Sequence, residues 1–157
     1  MRIIGIDPGY DRLGVAILDK SAQGKETVLY SNCFTTSSKD EIHTRLLEIG
    51  QEISRALEEF KPEKMAIENL FLSKNQKTAM RVSEARGIIM YEALKRNIPV
   101  FEYSPMQIKT AITSDGTSDK ERMIKMVKIL VKLPEKKAHD DEYDAIAVAL
   151  TCSAMDR

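Results

Sequence analysis

The sequence contains few of the residues that build disulfide frameworks, zinc sites or nucleotide-binding loops. Its 157 residues include two cysteines, two histidines and seven glycines. Cys33 and Cys152 lie far apart and have no CxxC spacing, so we expect two free thiols in a reducing compartment. No apolar run approaches the length of a membrane span, and "MRIIGID" leads directly into a strand pattern, which is unlike a signal peptide. These absences predict a cytoplasmic protein with no membrane partner.

The chain also has no net charge, but its charges are unevenly distributed. Residues 71–137 carry 14 Lys or Arg against 7 Asp or Glu, whereas residues 1–60 and 138–157 are net acidic. A basic middle segment is a weak indication of a polyanionic partner such as nucleic acid. Solvated helix faces would give the same pattern. The length predicts a single domain that spans residues 1–157.

Apolar runs bounded by turn residues predict a mixed sheet. The predicted strands are 3–6, 13–18, 27–34, 64–71 and 99–103, and the predicted helices are 38–60, 75–96, 105–112, 118–133 and one that begins near 140. Three helices are expected to start at capping boxes: Ser38 with Glu41, Ser73 with Gln76, and Ser118 with Glu121. Three antiparallel strands, then strands alternating with helices, predict an α/β fold with a mixed five-stranded sheet flanked by helices.

Four carboxylates stand at positions that such a sheet would bring together. Asp7 ends the first strand and Glu68 lies in the fourth, while Asp141 and Asp144 are three residues apart and share one face of the last helix. Each acid also has a purely structural explanation. Asp7 could stabilise the Pro-Gly turn, Glu68 could face solvent, and Asp141 could favour a helix amino terminus. Ligands nevertheless collect at the carboxyl ends of strands in α/β sheets, where Asp7 lies.

If the four acids meet, a cation is required to offset their repulsion. Each like-charged pair at about 5 Å costs roughly 3 kcal/mol at an effective dielectric of about 20. Carboxylate oxygens without a His or Cys cluster select Mg²⁺ or Mn²⁺. Two such ions can activate water for an in-line phosphoryl displacement, which needs no Ser or Cys nucleophile. The sequence has no suitable nucleophile motif, so we expect metal-assisted hydrolysis of a phosphodiester.

The ordered motifs of the chain resemble the RuvC family of Holliday-junction resolvases. They are "GIDPGYDRLGVAIL", "AIENLFLSKN", "ARGIIM", "KTAIT", "GTSDKERM", "KLP" and "DEYDAIAVAL", and together they span essentially the whole chain. The resemblance implies a ribonuclease-H-like fold, a homodimer, and Mg²⁺-dependent cutting of two strands of a four-way DNA junction at symmetric positions, leaving 5′-phosphate ends. It also implies a branch-migration complex of the RuvA and RuvB type as a partner.

The resemblance assigns roles to particular residues. The catalytic and metal-binding acids are Asp7, Glu68, Asp141 and Asp144, and the DNA-binding residues are Phe71, Lys74, Lys109 and Lys120. Phe71 could stack on an unpaired base at the junction centre, or could be a core aromatic. His139 and Asp140 could join the acidic cluster, but Asp141 is favoured because "DEYDAIA" fits the family's D-x-x-D-A pattern. Arg122, Lys125 and Lys128 could extend a phosphate-binding stripe or form a solvated helix face.

The helix over 75–96 is the expected dimer interface, because its apolar residues cover a wide arc. These residues are Met80, Val82, Ile88, Ile89 and Met90. Core packing would explain much of the same pattern.

Three other functions compete with a junction resolvase. A sugar-kinase or actin-like ATP-binding domain would need a second lobe and a second Gly-rich loop, which 157 residues with seven glycines do not supply. A ribonuclease-H-like nuclease of ribosomal RNA precursors shares the opening motif, but it typically lacks the "KLP" to "DEYDA" ending. A junction-binding protein that has lost catalysis would not need all four acids.

Overall fold

The computed structural model describes residues 1–69, 76–133 and 138–155, and its centre is a five-stranded sheet. The strands are β1 (Arg2–Asp7), β2 (Arg12–Lys20), β3 (Glu26–Thr35), β4 (Lys64–Glu68) and β5 (Val100–Tyr103). Their order across the sheet is β3-β2-β1-β4-β5. β1, β2 and β3 are antiparallel neighbours, whereas β4 and β5 run parallel to β1. The predicted α/β class and mixed sheet are therefore confirmed.

Helices cover both faces of the sheet. They are α1 (Ile42–Phe60), α2 (Gln76–Leu94), α3 (Pro105–Thr113), α4 (Lys120–Leu130) and α5 (Asp140–Met155). α1 and α2 pack against strand residues such as Ile4 and Ile6, and α5 packs with α3 and α4 against the opposite face, which includes Ile3. Burial on both faces explains the continuous apolar run of β1. None of the helices in the described ranges is long and apolar enough to cross a bilayer.

Two glycines allow α5 to lie directly on the sheet. A Cβ on Gly5 would lie 2.2 Å from the carbonyl oxygen of Ala145, and a Cβ on Gly14 would lie 2.1 Å from that of Asp141. Real Cβ atoms do not approach an oxygen so closely, so only glycine fits at either position. This close approach sets the depth at which the first turn of α5 meets the end of β1.

A buried arginine fixes the hairpin that follows Asp7. The guanidinium of Arg45 in α1 donates to the hydroxyl of Thr36 (2.8 Å) and to the carbonyl oxygen of Tyr10 (3.1 Å), and it pairs with Asp11. It also lies 4.9 Å from the centroid of the Tyr10 ring, within cation–π range. The side chain is 8% exposed. The turn after β1 is therefore held against the amino-terminal part of α1.

Two of the predicted capping boxes are wrong. α1 begins at Ile42 with Glu41 at the N-cap, whose side chain makes no capping bond, and Ser38 lies in the preceding turn. α4 is capped by Asp119, which accepts from the Arg122 backbone N–H at 2.8 Å. Ser118 is buried and bonds instead to the hydroxyl of Thr113. A hydroxyl with a tertiary partner is not available to cap a helix, and the carboxylate of Asp119 also gains from the helix dipole.

The predicted ends of two elements also differ. The helix expected over 118–133 ends at Leu130, because Val131 is extended and Lys132 pairs in parallel with Thr27 at the outer edge of β3. β4 ends at Glu68, and the remainder of the predicted strand 64–71 falls largely on residues outside the described ranges, as does Ser73. The other strands and helices differ from prediction by only a few residues at their ends.

Candidate active site

The candidate site lies at the carboxyl ends of two parallel strands. Asp7 is the last residue of β1 and Glu68 is the last residue of β4, and these strands are neighbours with Ile6 opposite Ile67. The amino-terminal part of α5 carries Asp144 over the same edge. Asp7, Glu68 and Asp144 all line one cavity of about 280 Å³. Three of the four predicted acids are therefore brought together by β1, β4 and α5.

The cavity has a mixed lining. Its other members are Pro105, Ile108, Lys109, Lys120, Met123 and Ala147. Lys109 and Lys120 are the two predicted DNA-binding lysines that lie in the described ranges. The predicted residues Phe71 and Lys74 lie outside those ranges. A cavity with acids at its base and two lysines in its wall can accept a cation and a phosphate group side by side.

The acids raise one another's affinity for protons. Burial raises the pKa of Asp7 from its ordinary value of 3.8 to about 8, and repulsion by Asp144, Glu68 and Asp141 adds to this effect. Burial, followed by repulsion from Asp144, also raises the pKa of Glu68. Burial raises the pKa of Asp144, although the nearby Lys120 ammonium opposes the shift. Without a cation, the site therefore favours keeping at least one proton near neutral pH.

Lys120 contacts Asp144 and its neighbour Asp140 directly. Its Nζ lies 3.1 Å from Asp144 Oδ2 and 3.5 Å from Asp140 Oδ2. Burial alone would lower the pKa of Lys120, but these two carboxylates outweigh it and the pKa is raised. Lys109 also lines the cavity, and its charge lowers the pKa of Glu68. Lys120 thus partly neutralises the acids in the metal-free protein.

Asp141 lies at the side of the cluster, and it does not line the cavity. Its Oδ2 lies 3.5 Å from Arg12 Nη1 on β2 and accepts from the Cys33 thiol on β3 at 3.5 Å. Burial and the neighbouring Asp141 raise the pKa of Cys33 to about 11, so the thiol stays protonated. Asp141 is still close enough to raise the pKa of Asp7.

The two alternative members of the acidic cluster occupy different positions. Asp140 is exposed and faces Lys120. His139 is exposed, and its backbone N–H donates to Glu142 Oε1 at 3.0 Å. Neither residue lines the cavity. The geometry therefore favours Asp144 over both neighbours as a member of the cluster. It does not favour Asp141 in the same way, because Asp141 does not line the cavity either.

The stripe of basic residues on α4 is mostly paired. Arg122 pairs with Asp115 at 3.2 Å, Lys125 with Glu121 at 2.8 Å, and the Lys128 ammonium lies 5.3 Å from the Tyr143 ring centroid. These contacts are typical of a solvated helix face. They favour the structural explanation of this stripe over phosphate binding.

Arg86 is a charged residue near the site to which the sequence reasoning gave no role. It lies on α2, is 8% exposed, and pairs with Glu102 on β5. Its charge lowers the pKa of Glu68. The Arg86 Nε has no hydrogen-bond partner within the part of the chain that is described. The signal in the sequence is a charged residue that follows Ala85 directly and stands three residues before the apolar Ile89 in a predicted helix.

The donor set fits a hard divalent cation. Asp7, Glu68 and Asp144 supply only carboxylate oxygens, and their raised pKa values reflect a repulsion that a divalent cation would relieve. Over residues 1–69, 76–133 and 138–155, no three His, Cys, Asp or Glu side chains are already arranged to hold a metal ion. The carboxylates would therefore close around a bound ion, and Asp144 would exchange Lys120 for it.

The fold is ribonuclease-H-like, and comparisons with known proteins identify the family. The family model for "Crossover junction endodeoxyribonuclease RuvC" matches residues 3–152. The RuvC of Thermosipho melanesiensis is 44% identical over 149 residues, which is 95% of this chain and 94% of that protein. The RuvC of Petrotoga mobilis is 41% identical, covering 95% of this chain and 91% of that protein.

Solved structures agree with the sequence comparisons. The structure of "T. thermophilus RuvC in complex with Holliday junction substrate" matches with a TM-score of 0.88 and 32% identity, covering 96% of this chain and 92% of the other. A second Thermus thermophilus RuvC structure matches with a TM-score of 0.87 and 31% identity, over the same shares of the two chains. The chain belongs to the RuvC family of crossover junction endodeoxyribonucleases.

Proposed function

We propose that this protein resolves four-way DNA junctions by making paired, symmetric nicks, with a divalent cation assisting the attack of water on the phosphodiester. The observation that carries the proposal is the convergence of Asp7, Glu68 and Asp144 on one cavity whose wall contains Lys109 and Lys120. Family membership and the likeness to a RuvC bound to a junction support the choice of DNA substrate.

The acids would hold the cation, and the lysines would hold the phosphate. Asp7, Glu68 and Asp144 are the ligands that line the cavity, with Asp141 joining after it leaves Arg12. When bound, Mg²⁺ or Mn²⁺ would lower the pKa of a water molecule and polarise the phosphate, and two ions per site are proposed.

The remaining steps depend on the chain's own side chains. Lys120 would move from Asp144 to the scissile phosphate, and Lys109 would neutralise a second oxygen. Transfer of the ammonium from carboxylate to phosphate keeps its charge paired throughout. Phe71 and Lys74 are proposed to contact DNA on the basis of the family resemblance. His139 and Asp140 are proposed as neighbours and not as ligands, because both are exposed.

A homodimer is proposed, since a four-way junction has two equivalent strands to cut. The exposed side of α2 supports this proposal, with Met80, Tyr91 and Leu94 exposed by 65%, 61% and 58%, and with Gly87 between them. A Cβ on Gly87 would meet no atom within 4 Å, so a second helix could approach the backbone there. The proposed interface leaves out Ile89, which was expected to take part in it but is fully buried in the core.

Two other parts of the proposal rest on the family alone. A branch-migration complex of the RuvA and RuvB type is proposed as the partner, and the cytoplasm is proposed as the compartment because it holds the DNA substrate. We propose that residues 1–157 form one domain; the two core clusters that share the central sheet support this.

A cleavage assay on synthetic substrates tests the function. Wild-type protein with Mg²⁺ should make paired nicks in a four-way junction and should leave linear duplex DNA and a structured ribosomal RNA precursor uncut. Glu68→Gln and Asp7→Asn should bind the junction tightly without cutting it. Glu59→Gln, at an exposed acid on α1, is the matched control and should cut normally. RNA cleavage would favour the ribosomal RNA alternative, and junction binding without any cleavage would favour the non-catalytic one.

A further inference from the structure

The third acid in the first turn of α5 is buried, and the proposed chemistry does not use it. Glu142 is 2% exposed and does not line the cavity, although it lies between Asp141 and Asp144 in the chain. Buried carboxylates in proteins are held by specific partners. Glu142 therefore needs a different explanation from the acids beside it.

The two carboxylate oxygens of Glu142 accept hydrogen bonds from two different parts of the chain. Oε1 accepts the backbone N–H of His139 at 3.0 Å, and Oε2 accepts the hydroxyl of Ser31 on β3 at 2.6 Å. His139 is the residue before the first helical residue, and its carbonyl oxygen accepts the backbone N–H groups of Glu142 and Tyr143. The first contact is half of a capping box, which ties the helix start to itself. The second contact ties it to the sheet.

This arrangement fixes the rotation of the helical turn that carries the catalytic acids. Helix ends fray, and the first backbone N–H groups have no partner within the helix. Glu142 satisfies one of these groups and anchors the turn to a strand 111 residues away in sequence. Asp141 precedes it directly and Asp144 follows two residues later, so a rotation of this turn would move both acids. The Asp141 carbonyl against Gly14 is a second restraint on the same turn.

We propose that Glu142 is a positioning residue, which holds the first turn of α5 against Ser31 so that Asp141 and Asp144 face the cation site. The proposal rests on the proposed function of that site. Glu142 itself binds neither the cation nor the DNA, and Ser31 is its partner on the sheet.

The chain offers a matched control at the other end of the same helix. Ser153 on α5 donates to the carboxylate of Glu26 on β3, and Lys20 donates to Ser153. Loss of this Ser–Glu contact should loosen the far end of α5 and leave the acids in place. Ser153→Ala therefore separates a general loss of helix docking from a loss of positioning.

The test compares Glu142→Ala, Ser31→Ala, Glu142→Gln and Ser153→Ala. Glutamine can still accept from His139 and can donate to Ser31, so it should restore the contacts that alanine removes. We expect Glu142→Ala and Ser31→Ala to raise the Mg²⁺ concentration for half-maximal cleavage by at least about tenfold, with junction affinity kept. Glu142→Gln and Ser153→Ala should stay within about threefold of wild type, as expected for substitutions that leave the site intact.

Two further measurements do not require cleavage. Mn²⁺ binding to the DNA-free protein should weaken in Glu142→Ala and Ser31→Ala, and amide hydrogen exchange should become faster in residues 140–144 of these variants only. If Glu142→Ala does not fold, Ser31→Ala and Glu142→Gln still give the comparison. If wild type fails to cut junctions, the proposed function fails, whereas Mn²⁺ binding and exchange still test the positioning role.

Two outcomes would overturn the proposal. If Glu142→Gln is as inactive as Asp144→Asn, the carboxylate of Glu142 is itself a ligand or a proton donor. The other outcome is that Ser31→Ala and Glu142→Ala leave the Mg²⁺ dependence of cleavage unchanged and lose as much stability as Ser153→Ala. In that case the contact between Glu142 and Ser31 only docks the helix on the sheet.

Discussion

Replacing Asp7 with asparagine should stabilise the metal-free protein. The pKa of Asp7 is raised to about 8 by burial and by the neighbouring acids. Below pH 3.8 the carboxyl is protonated in both the folded and the unfolded chain. Between pH 3.8 and about 8 the unfolded chain releases the proton while the folded chain keeps it, so folding stability falls as the pH rises. Asparagine cannot ionise, so the folding stability of the Asp7→Asn variant does not fall in this way.

The size of the effect follows from the pKa shift. Each pH unit within this window is worth up to about 1.4 kcal/mol, which gives an upper limit of about 6 kcal/mol at pH 8 and above. Relaxation of the neighbouring carboxylates reduces this limit, and we expect Asp7→Asn to gain about 2 to 5 kcal/mol. For a chain of this length the gain corresponds to an increase of about 5 to 15 °C in Tm.

The assay is thermal unfolding with a chelator, repeated from about pH 4 to pH 9. The advantage of Asp7→Asn should be near zero at the acid end and should grow with pH until it levels off near pH 8. About 10 mM Mg²⁺ should stabilise the wild type and narrow the gap, because a ligand that binds the folded state adds to its stability. Asp40→Asn, at an exposed acid before α1, is the control and should show no such growth. An Asp7→Asn variant no more stable than wild type at pH 8.5 to 9 in chelator would refute the reasoning.

Three further substitutions test other contacts. Gly14→Ala should lower single-turnover cleavage by about a hundredfold with junction binding retained, because its methyl would overlap the Asp141 carbonyl; a normal rate would contradict this close approach. Arg45→Ala should lower the urea unfolding free energy by about 2 kcal/mol, whereas Arg55→Ala, on the more exposed part of α1, should cost less than about 1 kcal/mol. Cys33 should resist alkylation near pH 8 and react faster in Asp141→Asn, because Asp141 helps to raise the pKa of the thiol; unchanged reactivity would place Asp141 elsewhere.

The sequence was sufficient to predict the elements that form the base of the site. Asp7 could be placed at the site because it ends an apolar run, and parallel strands bring their carboxyl ends to one edge. Glu68 was expected inside strand 64–71, and β4 instead ends at it. Asp144 could be added because the last helix has an apolar face that must cover the sheet. These inferences depend on local periodicity, which a single sequence records well.

Other features depend on contacts between distant residues, which periodicity does not record. Asp141 faces Arg12 and Cys33 because of the order of β2 and β3 across the sheet. Ser118 fits the sequence pattern of a helix cap, but its hydroxyl is hydrogen-bonded to the hydroxyl of Thr113. Ile89 matched an interface pattern and is a core residue, because the helical phase of α2 turns it toward the sheet. In each case a tertiary partner decided between two locally acceptable roles.

The contact of α5 with β1 and β2 has a consequence for when the protein can become a nuclease during its synthesis. Arg12 and Asp141, which meet in the folded protein, are separated by 129 residues in the chain. A ribosome-bound chain that has produced only the amino-terminal strands holds Asp7 without the helical acids. Such distant pairings also form late and slowly. The complete set of acids therefore exists only once the last helix has been made and has docked on the sheet.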